Sequence, residues 1–287
     1  MSISKRALFL GLTTAIVFTT SCTNENEQVN ESNTIEQASE HPWSKTIPKN
    51  VIEAAAKINL NVDHMRYDTF HYPDGTSEER LFVEEDIVMS EEQILKLAES
   101  ADTRQYSTDN LVTQGMNIKI MGHTGIFYAL SSKEREALKM AVNNYNNLSG
   151  VSIKFTLTFG SNTNGQDIVV LRDPFSFFQS GGRAGFPENG KPFKWVQIFG
   201  LSGETTDIVR HVITHEIGHT IGFRHTDWFT RESCGQNTNE GDGGVGVNHI
   251  DGTPTGYDSN SIMLSCFNRK STGKFNKNDI IALQTLY

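Results

Sequence analysis

Two histidines and a glutamate stand together in residues 214–227, which have the sequence T-H-E-I-G-H-T-I-G-F-R-H-T-D. His215 and His219 are four residues apart, so on a helix their imidazole rings share one face and can bind one metal ion. Glu216 directly follows His215, and its carboxylate would reach the rim of such a site, where a general base for a metal-activated water belongs. The stretch therefore predicts a catalytic metal site.

The residues after this pair predict where the helix ends and where a third ligand comes from. Gly222 lies three residues beyond His219, and helices commonly end at a glycine with a positive φ angle. The chain can then turn back and bring His225 to the same ion, leaving one coordination position to water, as is typical of catalytic zinc. Asp227 is an alternative third ligand. We favour His225 and expect Asp227 to bond backbone groups or an outer histidine nitrogen.

The complete motif H-E-x-x-H-x-x-G-x-x-H, in residues 215–225, resembles that of the metzincin clan of zinc metallopeptidases. The H-E-I-G-H spelling and the Thr226-Asp227 that follows the motif are most similar to the bacterial dual-action HEIGH metallopeptidases of that clan. Ser261-Ile262-Met263 matches the Met-turn, which places Met263 below the metal ligands as an apolar floor. The resemblance implies a zinc endopeptidase in which Glu216 is the general base for a metal-activated water.

The resemblance also implies an α+β fold for a catalytic domain over residues 106–287. We expect a twisted mixed sheet, a backing helix at about residues 131–148, the active-site helix, and a C-terminal part with the Met-turn and a final helix. Strands are predicted at residues 117–121, 151–158, 167–171 and 195–199. Residues 195–199 are expected to be the edge strand along which a substrate peptide pairs antiparallel. The glycine-rich residues 180–185 are expected to form a loop.

Residues 48–105 predict a small α+β module before this domain. Residues 48–59 favour a helix, residues 66–72 and 80–83 favour strands, and Ser90-Glu91-Glu92-Gln93 is a capping box for a helix to about residue 99. The resemblance suggests a pro-region that keeps the enzyme latent and is cut between residues 99 and 106. Latency requires an anionic group at the open metal position, and Asp86 is one candidate. The alternatives are a solvated acidic surface at residues 84–86 and a module that stays attached.

The N-terminus has the pattern of a secretory signal over residues 1–21. Lys5 and Arg6 precede an apolar run, and small residues lead to Cys22, as in a bacterial lipoprotein box with Thr19 at the usual aliphatic position. We expect cleavage before Cys22 and lipid attachment there, with ordinary secretion as the alternative. Residues 22–47 are polar and acidic and predict a flexible tether. The protein is thus expected at the outer membrane or cell surface, or secreted.

The chain has three cysteines. If Cys22 carries the lipid, Cys234 and Cys266 remain to form a disulfide across a glycine-rich loop, with two buried thiols as the alternative. Residues 243–248 within this loop loosely resemble a calcium-binding repeat. A bound Ca²⁺ is therefore an alternative to a loop held by the disulfide alone.

The net charge of −9 and the lack of a long basic run argue against nucleic-acid binding. The expected partners are a protein or peptide substrate and, through the lipid anchor, a membrane; we expect a monomer. An alternative function is a lipid-anchored surface binding protein that uses a metalloprotease fold for recognition. The presence of Glu216 favours the enzyme, because a pseudo-enzyme usually loses this residue. His211, one turn before His215, is expected to be a neighbour of the site and not a ligand.

Overall fold

The computed structural model describes residues 45–58, 60–100, 110–176, 179–237 and 250–287. The signal, the lipid site at Cys22, most of the tether, nearly all of the expected cleavage region and the proposed calcium stretch lie outside the described residues. Those expectations stay predictions. No helix within the described ranges is long and apolar enough to cross a lipid bilayer.

The N-terminal module has the two helices and two strands that the sequence predicts, and a third strand, β3 (Ile87–Met89), that it does not predict completes an antiparallel sheet. The Ser90 hydroxyl accepts from the backbone N–H of Gln93, and the Gln93 side chain accepts from the N–H of Ser90, so the predicted capping box is confirmed. The strands pair in the order β1-β2-β3. The elements are α1 (Lys49–Lys57), a 3₁₀ turn (Val62–His64), β1 (Arg66–His71), β2 (Ser77–Val83), β3 (Ile87–Met89) and α2 (Glu91–Ser100).

The catalytic domain is built on a five-stranded mixed sheet, which confirms the expected fold class. The strand order is β5-β4-β6-β8-β7, and all neighbours are parallel except β7 and β8. Central parallel strands are buried on both faces, which explains the unbroken apolar run at residues 168–171. The strands are β4 (Asn117–His123), β5 (Lys154–Gly160), β6 (Ile168–Arg172), β7 (Gly181–Arg183) and β8 (Trp195–Phe199).

Three helices complete this domain: α3 (Ser132–Asn146), α4 (Thr206–Thr220) and α5 (Lys277–Leu286). Ser131 and Glu134 form the predicted capping box of α3, the backing helix. Apolar residues of α3 and α4 share one buried core with the sheet. This packing fixes α4, which carries the H-E-I-G-H residues, against the sheet.

The edge strand was predicted wrongly. β8 lies between β6 and β7, and the edge is β7, formed by glycine-rich residues that were expected to be a loop. Gly182 is paired with Ile198 of β8. β8 is apolar because it is an interior strand, with Val196 and Ile198 fully buried. Glycines give β7 no strand propensity of their own, so only pairing with β8 makes this short segment extended.

The C-terminal part contains the Met-turn, the predicted disulfide and α5. Cys234 and Cys266 are bonded, with their Cα atoms 5.1 Å apart. Asp279 caps the first turn of α5 through the N–H of Asn276, and it also accepts hydrogen bonds from the Ser261 hydroxyl and the N–H of Ile262. One buried carboxylate therefore joins the start of the last helix to the Met-turn.

The N-terminal module packs directly on the edge of the catalytic sheet. The N–H of Val88 donates to the Ala184 carbonyl at 2.7 Å, and the N–H of Ala184 donates to the Asp86 carbonyl at 2.9 Å. The Gln197 amide donates to the His71 carbonyl at 2.6 Å. Residues 86–88 thus run parallel to the chain just beyond β7. This pairing brings the turn between β2 and β3 to the end of α4.

Candidate active site

Helix α4 has a side-chain cap at its start and ends where its sequence predicts. The Thr205 side chain caps it by accepting from the N–H of Ile208 at 3.3 Å. Ile213 and Ile217, four residues apart, are fully buried and face the core. The chain leaves the helix at Gly222, whose φ of 110° is unfavourable for other residue types. The reversal at this glycine brings His225 back beside the helix, as predicted.

Three imidazole rings converge at this point. The Nε2 atoms of His215 and His219 are 2.9 Å apart, and the ring centroid of His225 lies 5.3 Å from that of His215 and 4.9 Å from that of His219. His215 Nδ1 contacts the Ile262 carbonyl at 2.9 Å, and His219 Nδ1 contacts the Phe223 carbonyl at 2.8 Å. A carbonyl only accepts, so each Nδ1 carries the proton and each Nε2 is left with a bare lone pair.

This arrangement fits a divalent metal ion. Two bare nitrogen lone pairs in close contact repel each other unless a cation lies between them, and neutral imidazole is a good zinc ligand. All three rings are buried, and the outer nitrogens of His215 and His219 are occupied in the way that is usual for metal-binding histidines. Asp86 joins the set, since the four donor atoms of Asp86, His215, His219 and His225 lie within 4.8 Å of one another.

Asp86 stands where the sequence led us to expect water. Its Oδ2 atom is 3.1 Å from Nε2 of His225, 3.5 Å from Nε2 of His215 and 3.9 Å from Nε2 of His219. The carboxylate comes from the N-terminal module, more than 120 residues before the motif. In the full-length chain, the expected open position is therefore within reach of a protein carboxylate.

The charges of the site are strongly perturbed by burial and by one another. Burial, and then the nearby Asp86 carboxylate, raise the pKa of Glu216 well above its usual range. Burial opposes charge on Asp86, but the imidazoles, His225 foremost, hold the pKa of its carboxyl well below the ordinary value. Burial and the neighbouring His215 lower the pKa of His219 to about 4, so His219 is a neutral ligand at ordinary pH.

Met263 forms the floor that the Met-turn predicts. It is buried, and its sulfur lies so close to α4 that a Cβ atom on Gly218 would stand 2.5 Å from it. Gly218 therefore leaves room for the Met263 thioether beneath the helix, and an alanine at this position would displace it. The Met263 carbonyl also accepts from the N–H of Thr226, one residue after His225.

Asp227 does not belong to the donor set. Its carboxylate accepts from the N–H of Ser233 at 3.0 Å and from the N–H of Ser265 at 2.9 Å, as well as from both hydroxyls. This agrees with the expectation that Asp227 bonds backbone groups. The Ser233 hydroxyl in turn accepts from the N–H of Cys266 at 2.9 Å, so Asp227 ties the segment after the motif to the disulfide.

His211 also stays outside the donor set, as expected. It is buried one turn before His215, with its ring centroid 6.1 Å from that of Phe267. Burial, together with the nearby His215, lowers the pKa of His211 to about 3. His211 and Phe267 line the same cleft as His215 and Glu216, so His211 is a neutral wall residue there.

Two further acidic residues of the same turn contact arginines, and the sequence did not predict either contact. Glu84 Oε1 is 2.9 Å from Nη2 of Arg224, and both side chains are almost completely buried. On the next residue of the turn, Glu85 Oε2 is 3.4 Å from Nη2 of Arg231. The only sequence signals for these contacts are an arginine inside the metal motif and an acidic run far upstream, and nothing local connects them.

Comparison with known proteins identifies the family. Residues 81–287 match the family model of the dual-action HEIGH metallopeptidases. The chain belongs to this family. It is therefore a zinc metallopeptidase that acts on protein or peptide substrates, which confirms the resemblance seen in the motif. The alternative of a binding protein that uses this fold only for recognition is not supported.

Comparison with solved structures finds matches to myroilysin and to a hatching enzyme. Myroilysin is 14% identical, with a TM-score of 0.39 over 65% of this chain and 89% of its own. High choriolytic enzyme 1, a hatching enzyme zinc-protease from Oryzias latipes (medaka fish), is 15% identical, with a TM-score of 0.39 over 64% of this chain and 97% of its own. No curated protein matches the chain.

The edge strand and Glu216 are in close contact, which gives a test of the site geometry. A Cβ atom on Gly182 would stand 2.6 Å from Cγ and Oε1 of Glu216. We expect Gly182→Ala to push the Glu216 carboxylate aside and to lower kcat for peptide hydrolysis about 100-fold, while the melting temperature changes little. Gly203→Ala is the matched control, because nothing lies within 4 Å of its added Cβ. Equal kcat values for the two variants would contradict the close contact.

Proposed function

We propose that the chain hydrolyses peptide bonds with zinc held by His215, His219 and His225 and with Glu216 as the general base. The observation that carries this proposal is the convergence of imidazole nitrogens whose outer partners are backbone carbonyls. Glu216 belongs to the same helix and lines the same cleft as His215. Gly181 and Gly182 of the edge strand β7 line this cleft too.

The residues of the cleft have separable roles in this reaction. Zinc, when bound, supplies a Lewis acid that lowers the pKa of a water molecule and stabilises negative charge on the scissile carbonyl oxygen. Glu216 Oε2 makes no hydrogen bond within the described part of the chain, so it is available to accept a proton from the attacking water. Glu216 then passes this proton to the leaving amine. The outer side of β7, the last strand of the sheet, can orient an extended substrate by strand pairing.

Substitutions on α4 test these assignments. We expect Glu216→Ala to abolish peptide hydrolysis and to retain one zinc per chain, because Glu216 is not a ligand. We expect His219→Ala to lose the metal, as elemental analysis of the purified protein would show. His211→Ala is the matched control, a histidine of the same helix outside the donor set, and it should keep its zinc. Substantial turnover in Glu216→Ala would exclude the general-base role.

We further propose that the protein is made as a latent precursor and that Asp86 is the inhibiting group. Its carboxylate lies at the position that an attacking water requires, 3.1 Å from His225 Nε2. Residues 86–88 also occupy backbone groups of Ala184, next to the edge strand on which a substrate would pair. They run parallel to that segment, in the opposite direction to a substrate that pairs antiparallel. Cleavage between residues 99 and 106 would allow the module to leave.

Asp86→Ala tests latency in the full-length chain. We expect this variant to hydrolyse peptides at least about tenfold faster than the uncleaved wild-type protein, since an open coordination position is restored while three histidine ligands remain. The rate of the Asp86→Ala variant should nevertheless stay below that of the cleaved enzyme, because residues 87–88 still cover Ala184. Glu85→Ala, on the same turn but with its side chain half exposed, is the control and should remain latent. An uncleaved wild-type protein as active as the cleaved one would refute latency.

We also propose export and lipid attachment at Cys22, supported by the charged start, the apolar run and the small residues before this cysteine. The polar residues that follow would tether a monomeric enzyme to the membrane surface. We expect Cys22→Ser to lose incorporation of labelled palmitate and to move the protein from the membrane fraction to the soluble fraction. Unchanged labelling in this variant would rule out lipidation at this residue.

A further inference from the structure

The turn that joins β2 to β3 places two carboxylates on opposite sides of one metal-binding histidine. Asp86 Oδ2 faces His225 Nε2 at 3.1 Å, and Glu84 Oε2 faces His225 Nδ1 at 3.3 Å. Both side chains come from the N-terminal module. The ring of the third histidine is therefore held between two groups that the catalytic domain does not supply.

We infer that Glu84 is a positioning residue for the metal site, and that the N-terminal module thereby helps to hold the metal that it covers. This inference rests on the proposed zinc site and adds a role for the module besides inhibition. Glu84 does not reach the metal. It acts through His225 by orienting the ring and by fixing the proton on Nδ1, which leaves Nε2 free for the ion.

The three histidines differ in how their outer nitrogens are held. His215 and His219 use the carbonyls of Ile262 and Phe223, which belong to the catalytic domain. His225 Nδ1 and Glu84 Oε2 make no hydrogen bond to any other group in the described ranges. The two atoms are 3.3 Å apart, so Glu84 is the acidic group that faces the outer nitrogen of His225. A carboxylate at this place also makes the imidazole a stronger ligand than a carbonyl does.

The negative charge of the buried Glu84 side chain is stabilised by an arginine. The side chain is completely buried, and Arg224, the residue before His225, meets its other oxygen at 2.9 Å. Arg224 is itself held by the Ile58 carbonyl at 2.9 Å. Glu84 and Glu85 both have left-handed backbone, with φ angles of 50° and 72°. Such strain in non-glycine residues persists only where the surrounding structure imposes it. In this turn, the left-handed backbone accompanies a placement of Glu84 and Asp86 on opposite sides of the His225 ring.

The consequence is a link between metal retention and the presence of the module. When the module leaves, the site loses the Asp86 carboxylate and also the outer partner of His225. We therefore expect removal of the whole module to weaken zinc binding more than removal of the Asp86 carboxylate alone does.

The test is the zinc dissociation constant of the full-length chain, measured by competition with a chromophoric chelator. Glu84→Gln keeps the shape of the side chain and removes its charge, and we expect zinc to bind about 10- to 100-fold more weakly. Glu85→Gln is the matched control, a neighbour with the same left-handed backbone whose partners are His64 and Arg231, and its zinc affinity should equal that of the wild type. Equal affinities for wild type and Glu84→Gln would overturn the inference.

Two further measurements test whether Glu84 positions the His225 ring itself and does not act only through Asp86. In the Asp86→Ala background, Glu84→Gln should weaken zinc binding by a similar factor again; no additional loss would mean that Glu84 acts only through Asp86, which would also overturn the inference. Cobalt-substituted Glu84→Gln should show an altered d–d absorption spectrum, whereas Glu85→Gln should not. These measurements do not need turnover, so their outcome can be distinguished from a failure of the proposed peptidase activity.

A control measurement in the metal-free state checks that the variants are folded. Glu84→Gln removes the charge that faces the buried Arg224 guanidinium, so its melting temperature is compared with that of the wild type after both are treated with a chelator. If it melts earlier, Glu84→Asp replaces it, because this variant keeps the charge for Arg224 and withdraws the carboxylate from the ring by one methylene. Glu84→Asp should also bind zinc more weakly, and wild-type affinity in a folded Glu84→Asp would overturn the inference.

Discussion

The site depends on two imidazole nitrogens that stand 2.9 Å apart without a proton between them. This arrangement is unfavourable unless a cation is shared, so the surrounding structure must hold the rings against their repulsion. It does so from outside the site, because the Ile262 and Phe223 carbonyls keep the protons of His215 and His219 on their outer nitrogens. The Met-turn thus has a second function, since Ile262 belongs to it. The capping carboxylate of Asp279 supports that turn from the final helix.

Close packing around the helix leaves little room for side chains where α4 meets its neighbours. Gly218 allows Met263 to lie against the helix from below, and Gly182 allows the edge strand to approach Glu216 from the other side. Both glycines are needed because of what approaches them and not because of their own backbone angles. The positions of the metal ligands and of Glu216 are therefore set by contacts on both sides of one helix.

The N-terminal module interacts with this site mainly through charge. Three consecutive acidic residues, 84–86, each face a different basic or imidazole group after or within the metal motif. The buried pair of Glu84 and Arg224 would be costly to break by removing one partner, because an unpaired buried charge remains. The half-exposed pair of Glu85 and Arg231 contributes less. Release of the module from the catalytic domain thus has to separate charges as well as apolar surfaces.

The sequence by itself determined the local chemistry of this protein. Helical periodicity places His215 and His219 on one face, a glycine at position 222 ends the helix, and the motif with its Met-turn identifies the family. Only the tertiary structure decided that the glycine-rich residues 181–183 are the edge strand, because they become a strand by pairing with β8. It also decided that Glu84 and Asp86 enclose His225. A contact between residues 139 positions apart leaves no periodic signal in either segment, since it depends on how two separately folded elements pack.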